Sequence, residues 1–151
     1  MDDFEAVEIL LVDDSDADAE LVLRALRKGG VVNKVMRLRD GVEALEFAFR
    51  EGAFDQRQGA HPRLILLDLK MPRLGGIDVL RRLKADETTR MIPIVVLTSS
   101  AEEQDVAESY RLGANSYLVK PVEFTAFTNV ITKAGLYWSV MNHTPNSQEP
   151  V

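Results

Sequence analysis

The sequence predicts a doubly wound α/β fold, in which one parallel sheet lies between two layers of helices. Five short apolar runs alternate along the chain with five longer segments of helical periodicity. The apolar runs lack the polar alternation that a solvated sheet face would give, so both faces of each strand are expected to be covered. The length of 151 residues is that of one ordinary domain.

The strands are recognised as apolar runs too short for stable helices, and three of them end in acidic or hydroxyl residues. The second run is the weakest of the five. The predicted strands cover residues 8–12, 32–38, 64–68, 94–98 and 116–119.

The helices are recognised by apolar residues at helical spacing and by capping residues at their starts. Ser15 and Asp40 can cap the first two helices, and Ser100 with Glu103 forms a capping box for the fourth. The five helices are predicted at about residues 15–29, 40–52, 77–84, 100–112 and 123–141, with polar or Pro- and Gly-containing loops at 53–62 and 70–76.

Composition excludes several classes of function. The net charge of −6 disfavours nonspecific binding to nucleic acid or to an anionic membrane, and the absence of cysteine excludes disulfides, thiolate catalysis and cysteine-bound metals. No apolar run reaches the ~20 residues that span a bilayer, and the N-terminus is acidic where a signal peptide would be basic. These features predict a cytoplasmic protein without membrane insertion.

Polar side chains stand at the carboxyl ends of four predicted strands, where ligands bind in open parallel sheets. They are Asp13 and Asp14 after the first strand, Asp68 after the third, Thr98 after the fourth and Lys120 after the fifth. If these four strands are neighbours, the side chains converge on one pocket.

Such a pocket suits phosphoryl transfer onto an aspartate. Each pair of carboxylates 4 Å apart costs about 4 kcal/mol at an effective dielectric of 20, and a divalent cation relieves this repulsion. Oxygen ligands favour Mg²⁺, a lysine is a point-charge partner for phosphate, and a carboxylate can form an acyl phosphate.

These motifs closely resemble the receiver domain of two-component response regulators. The matching residues are Asp13-Asp14, the run from Leu66 to Pro72 with Gly75-Gly76, then Thr98, and Tyr117 ahead of Lys120-Pro121. The resemblance implies a flavodoxin-like fold with strand order 2-1-3-4-5. It also implies a receiver domain at 7–141, after an N-terminal extension at 1–6. The segment 142–151 is polar and contains two prolines, which predicts a flexible tail.

The resemblance implies a role for each matching residue. Asp68 is the phosphoryl acceptor for a sensor histidine kinase, and Thr98 and Lys120 hold the phosphoryl oxygens. Asp13, Asp14, Asp68 and the backbone carbonyl of Lys70 bind Mg²⁺, with Asp13 acting mainly through water. Tyr117 turns inward as Thr98 moves, and the bond before Pro121 is cis.

A narrower resemblance is to the stand-alone regulators paired with bacterial phytochromes. It is carried by the long loop at 53–62, the run 97–100, the aromatic pair Tyr137-Trp138 and the lack of an output domain. Output would then be through protein contacts: onward phosphotransfer, an output protein, a homodimer or a phosphate sink. The cluster of Tyr137, Trp138 and Met141 can either complete the core or form the dimer patch.

Four other functions fit parts of the sequence. The Asp-x-Asp at 14–16 resembles haloacid-dehalogenase phosphatases, but no distant acidic pair follows Lys120. A calcium loop starting at Asp14 would need Gly and Glu where Ala19 and Ala25 stand. A flavodoxin would carry a phosphate loop where Asp13 and Asp14 stand. A phosphorylation-independent binding or dimerisation module of the same fold stays open, and Mg²⁺ binding is a cheap discriminator.

Overall fold

The computed structural model describes residues 7–99 and 103–141. Four predictions concern parts outside the described residues. They are the extension at 1–6, the tail at 142–151, the cap at Ser100 and the side chain of Trp138. Among the described helices, none is both long enough and apolar enough to cross a membrane.

Five parallel strands form one sheet in the order β2-β1-β3-β4-β5, as predicted. The observed strands start within three residues of the predicted positions and end where predicted. They are β1 (Ile9–Val12), β2 (Val35–Leu38), β3 (Leu64–Asp68), β4 (Ile94–Thr98) and β5 (Ser116–Val119). This order makes β1, β3, β4 and β5 successive neighbours, which is the condition for their ends to share one pocket.

Five helices alternate with the strands, and a sixth short helix closes the described chain. The Ser15 hydroxyl accepts a hydrogen bond from the Asp18 backbone N–H (3.1 Å), and the Asp40 carboxylate accepts one from the Glu43 N–H (2.9 Å), so both predicted caps form. The helices are α1 (Asp16–Lys28), α2 (Gly41–Phe49), α3 (Gly76–Ala85), α4 (Glu103–Arg111), α5 (Phe124–Lys133) and α6 (Tyr137–Val140).

The last helix is shorter than predicted, because a glycine divides the segment 123–141. Gly135 has a φ of +75°, a left-handed conformation that glycine adopts readily and that commonly ends helices. The Leu136 N–H then donates to the Ile131 carbonyl at 2.8 Å. The expectation of one continuous helix to about Met141 was therefore wrong, and α6 is a separate turn with Val140 fully buried.

Two apolar layers cover the two faces of the sheet. Within β1, Leu10 and Val12 face α2 and α3, whereas Ile9 and Leu11 face α1 and α5. All four of these side chains are fully buried. Burial on both faces explains why the strands read as continuous apolar runs rather than as alternating ones.

The loop predicted at 53–62 is organised around a buried arginine. It opens with a 3-10 turn at Gly52–Phe54, and Arg57 is only 2% exposed. The Arg57 guanidinium lies 4.3 Å from the Phe47 ring centroid and donates to the Phe47 carbonyl at 2.8 Å. The cation therefore caps the carboxyl end of α2 and holds the loop against it.

A pair of adjacent glycines offers a test of the close backbone contact between the start of α3 and the end of β3. A Cβ on Gly76 would lie 2.3 Å from the Asp68 carbonyl oxygen and 2.7 Å from the Leu69 Cα, whereas one on Gly75 would meet only the Leu69 carbonyl at 3.5 Å. We expect Gly76→Ala to lower the free energy of unfolding by about 2 kcal/mol, because backbone must shift. Urea denaturation would measure it.

The matched control is Gly75→Ala, which we expect to cost under about 1 kcal/mol, the usual loss for alanine at a helix N-cap. Equal losses for the two variants would contradict a close contact between α3 and the end of β3.

Candidate functional site

The sheet register brings the predicted polar residues to one edge. Val12 is paired with Leu67, so Asp13 just after β1 and Asp68 at the end of β3 lie at the same level. Between β4 and β5, Thr98 is paired with Val119, and the Thr98 carbonyl accepts from the Lys120 N–H at 2.8 Å. The predicted convergence therefore occurs at the carboxyl edge of β1, β3, β4 and β5.

Three carboxylates line the pocket, two of them buried and one exposed. One oxygen from each of Asp13, Asp14 and Asp68 lies within 4.8 Å of the other two. Asp13 is fully buried and Asp68 is 3% exposed, whereas Asp14 is exposed. The cluster thus combines two desolvated acids with one that faces solvent, which leaves an open side for a ligand.

Backbone and arginine contacts hold Asp13 in place. Its Oδ1 accepts from the Ser15 N–H at 3.0 Å. Its backbone carbonyl accepts two hydrogen bonds from Arg37, from Nε at 2.9 Å and from Nη2 at 2.7 Å. Arg37 also donates to Asp16 at 2.8 Å, so β2 and the start of α1 are joined around Asp13. Sequence reasoning missed Arg37, because an arginine in an edge strand resembles any solvated cation.

Lys120 brings a positive charge into this acidic pocket. Its side chain is 10% exposed, and Nζ lies 2.9 Å from Asp13 Oδ2 and 3.4 Å from Asp68 Oδ1. The peptide bond between Lys120 and Pro121 is cis, as the resemblance predicted. Nζ also lies 3.1 Å from Asp18 Oδ2, a contact that sequence reasoning did not predict.

The pKa of Asp68 is shifted upward by its surroundings. Burial raises the pKa of the Asp68 carboxyl to about 6, the Asp13 charge adds to the rise, and the Lys120 ammonium and the Lys70 N–H oppose it. For Lys120, burial alone lowers the pKa, but the carboxylates of Asp13, Asp18 and Asp68 outweigh it and the net pKa is raised. The pocket therefore favours a charged lysine beside an acid that is costly to ionise.

The carboxylate cluster fits a divalent cation. Its donors are hard oxygen atoms, the ligand type that Mg²⁺ and Mn²⁺ prefer. A single lysine does not neutralise three acids, so the remaining negative charge would attract a second cation. Asp13, Asp14 and Asp68 are the side chains that would hold it.

Thr98 and Tyr117 stand where the resemblance placed them, on β4 and β5. Thr98 ends β4 and is 3% exposed. Tyr117 is half-buried, and its ring meets that of Tyr110 on α4 edge to face, with centroids 6.3 Å apart. Tyr117 therefore joins β5 to α4, and its inward rotation remains a prediction.

Lys70 makes its side-chain contact away from the carboxylates. Its ammonium is exposed and lies 3.6 Å from Asp105 Oδ2 on α4. Its backbone N–H, by contrast, donates to Asp68 Oδ1 at 3.4 Å. The main chain of Lys70 thus belongs to the pocket, while its side chain connects the loop after β3 to α4.

Comparison with known proteins gives concordant matches. The profile of the response regulator receiver domain matches residues 9–132. Response regulator Rcp1 of Synechocystis sp. is 37% identical over 130 residues, covering 86% of this chain and 87% of that protein.

Two solved structures extend the match to the fold. The bacteriophytochrome response regulator RtBRR is 46% identical with a TM-score of 0.83, covering 93% of this chain and 84% of that one. The Mn²⁺-bound form of response regulator Rcp1 is 35% identical with a TM-score of 0.72, covering 91% and 97%.

Proposed function

This chain belongs to the response regulator receiver family, and we propose that Asp68 accepts a phosphoryl group from a sensor histidine kinase with Mg²⁺ as the cofactor. Phosphorylation-based signalling is the function of this family. The observation that carries the assignment of Asp68 is its position. Asp68 ends the central strand β3, between Asp13 after β1 and Thr98 at the end of β4, and its Oδ1 lies 3.4 Å from the Lys120 ammonium.

In the proposed reaction, an Asp68 oxygen attacks the phosphorus of a phosphohistidine. The new P–O bond forms as the P–N bond breaks, and the electron pair returns to the histidine ring. When bound, Mg²⁺ would balance charge on the phosphoryl oxygens and on the acids. The Lys120 ammonium turns one N–H from a carboxylate to a phosphoryl oxygen, and the Thr98 hydroxyl donates to another.

We propose that the same residues support the later hydrolysis of the acyl phosphate. Water would attack the phosphorus in line with the Asp68 oxygen, which then leaves as a carboxylate. The protein is in this view a switch that catalyses its own resetting, rather than a metabolic enzyme.

The phosphoryl group would change the surface near α4 and β5. It places about two negative charges beside Thr98 at neutral pH. Movement of Thr98 toward these charges would vacate space for Tyr117, which packs on Tyr110 of α4. The face made by α4, β5 and α5 is therefore the proposed output surface.

The names of the relatives support a phytochrome as the kinase partner. RtBRR is called a bacteriophytochrome response regulator, and we extend that pairing to this chain as a proposal. A homodimer is also proposed. Of the predicted patch, Tyr137 is exposed at 36% while Met141 packs partly on the core. An onward phosphotransfer or output protein, a cytoplasmic location and the absence of nucleic-acid binding remain predictions.

Intact-mass spectrometry of the wild-type protein with a small phosphodonor tests the proposal. We expect one phosphoryl adduct per chain in Mg²⁺ and less than a tenth as much in chelator, because without the cation the acids repel the incoming phosphate. Folding in both buffers is checked by circular dichroism.

The opposite result would also be informative. If folded, Mg²⁺-binding protein forms no adduct from the phosphodonor or from a phosphorylated histidine kinase, the proposal fails. A phosphorylation-independent binding module would then be the better assignment.

A further inference from the structure

Asp18 is a third carboxylate in contact with the Lys120 ammonium. Its position in the sequence did not predict this contact, and Asp18 is not part of the cluster of Asp13, Asp14 and Asp68. Asp18 Oδ2 lies 3.1 Å from Nζ, between the distances to Asp13 (2.9 Å) and to Asp68 (3.4 Å). An ammonium has three N–H donors and no acceptor. The ammonium donates a hydrogen bond to Asp18 Oδ2, and it forms ion pairs with Asp13 and Asp68.

The way α1 is capped explains why Asp18 reaches across the pocket. In a capping box, the side chain at the third helical position returns a bond to the N–H of the capping residue. Here the Ser15 hydroxyl accepts from the Asp18 N–H, but the Ser15 N–H donates to Asp13 Oδ1 instead. The Asp18 carboxylate has no return bond to make, and it joins α1 to the residue that follows β5.

Asp18 differs from the other two partners of Lys120 in what a ligand would do to it. Asp13 and Asp68 belong to the cluster that would hold the cation, and Asp68 is also the proposed acceptor. Asp18 lies outside that cluster. When the cation and the phosphoryl group bind, Asp18 would thus still be available as a partner of Lys120.

We infer that Asp18 is a positioning residue that anchors the Lys120 ammonium beside Asp68 during phosphoryl transfer. The inference rests on the proposed function of Asp68. A lysine carries a compact charge on a flexible four-carbon stem, so its position depends on its partners. A charge-assisted bond from the rigid first turn of α1 fixes the ammonium while Asp13 and Asp68 are engaged.

The test compares Asp18→Asn with Asp78→Asn, the same change at an acid in the first turn of α3. Asp78 is exposed and pairs with Arg81, and it lies outside the carboxylate cluster. We expect Asp18→Asn to lower the maximal rate of phosphoryl uptake from a small phosphodonor by about three- to tenfold, the size of one weakened charged hydrogen bond. The apparent affinities for phosphodonor and Mg²⁺, and the rate of Asp78→Asn, should stay within about twofold of wild type.

A double-substitution cycle separates positioning from a structural role. In the Lys120→Gln background, Asp18→Asn should cause no further loss, because Asp18 acts through Lys120. An equal loss in both backgrounds, or no loss with Lys120 present, overturns the inference. Asp18→Ala serves as a second variant, and circular dichroism confirms folding of each.

A spectroscopic measurement keeps the inference independent of phosphorylation. In metal-free protein with isotope-labelled lysine, the Lys120 Nζ resonance is assigned by its loss in Lys120→Gln. We expect it to shift in Asp18→Asn but not in Asp78→Asn, and an unchanged resonance in Asp18→Asn overturns the contact. If wild type forms no adduct, the proposed function fails, and this resonance still decides whether Asp18 anchors Lys120.

Discussion

Replacing Asp68 with asparagine is expected to abolish phosphoryl uptake, the largest effect of any single substitution in this chain. An amide of the same shape keeps the side chain in its buried position, but it lacks the carboxylate nucleophile that forms an acyl phosphate. Intact-mass spectrometry in saturating Mg²⁺ and small phosphodonor should show one adduct on wild type and none on Asp68→Asn.

The control for this prediction is Asp78→Asn, the same chemical change at an exposed acid in the first turn of α3. Asp78 pairs with Arg81 and lies outside the carboxylate cluster, so the adduct should persist at wild-type level. Stoichiometric labelling of Asp68→Asn would place the acceptor elsewhere. Asp14, as the exposed acid of the cluster, would be the next residue to replace.

The central site could be predicted because each of its residues follows a recognisable strand. Asp13 and Asp68 come directly after apolar runs, and Lys120 comes after the last of them. In a parallel sheet the carboxyl ends share one edge, so chain position alone predicts that these groups meet. The strand order that makes them neighbours came from the family resemblance, and the structure confirms that order.

The supporting contacts could not be predicted, since they join elements that are distant in the chain. Arg37 on β2 donates to the Asp13 carbonyl, and Asp18 accepts from Lys120, which lies 102 positions later in the chain. Both residues have ordinary local explanations, a cation in an edge strand and an acid in the first turn of a helix. Only the folded position of α1, whose first turn contacts Arg37 on β2 and Lys120 after β5, shows that they serve the pocket.

The two differences in the fold have different causes. The division of the last helix follows from Gly135, a signal that is present in the sequence but was outweighed by the apolar stripe from Phe124 onward. The burial of Arg57 follows from its contacts with the Phe47 ring and with a backbone carbonyl at the end of α2. The polar composition of the loop does not reveal these contacts.

The raised pKa of Asp68 also predicts how the stability of the metal-free protein changes with pH. The folded-state pKa is about 6, against an ordinary value of 3.8, so between these values the folded protein binds the proton more tightly than the unfolded chain. The stabilisation from protonated Asp68 is complete below pH 3.8 and is lost as the pH rises through 6. We expect the free energy of unfolding to fall by about 3 kcal/mol over this range from Asp68 alone.

Urea denaturation of wild type and Asp68→Asn in metal-free buffer, from about pH 4.5 to 7.5, isolates this contribution. Groups that do not contact Asp68, including His61 with its lowered pKa, affect both proteins alike and cancel in the difference. The stability advantage of the variant over wild type should grow by about 2 kcal/mol between pH 4.5 and 7.5, because its amide never ionises. About 1 kcal/mol of the total is already lost at pH 4.5, which lies above the ordinary pKa of 3.8. Parallel curves would mean that the pocket accepts the Asp68 charge without cost.

Adding Mg²⁺ at pH 7.5 should then stabilise wild type more than the variant, since a ligand that binds only the folded state adds its binding free energy to stability. A larger gain for Asp68→Asn would remove Asp68 from the set of residues that hold the cation.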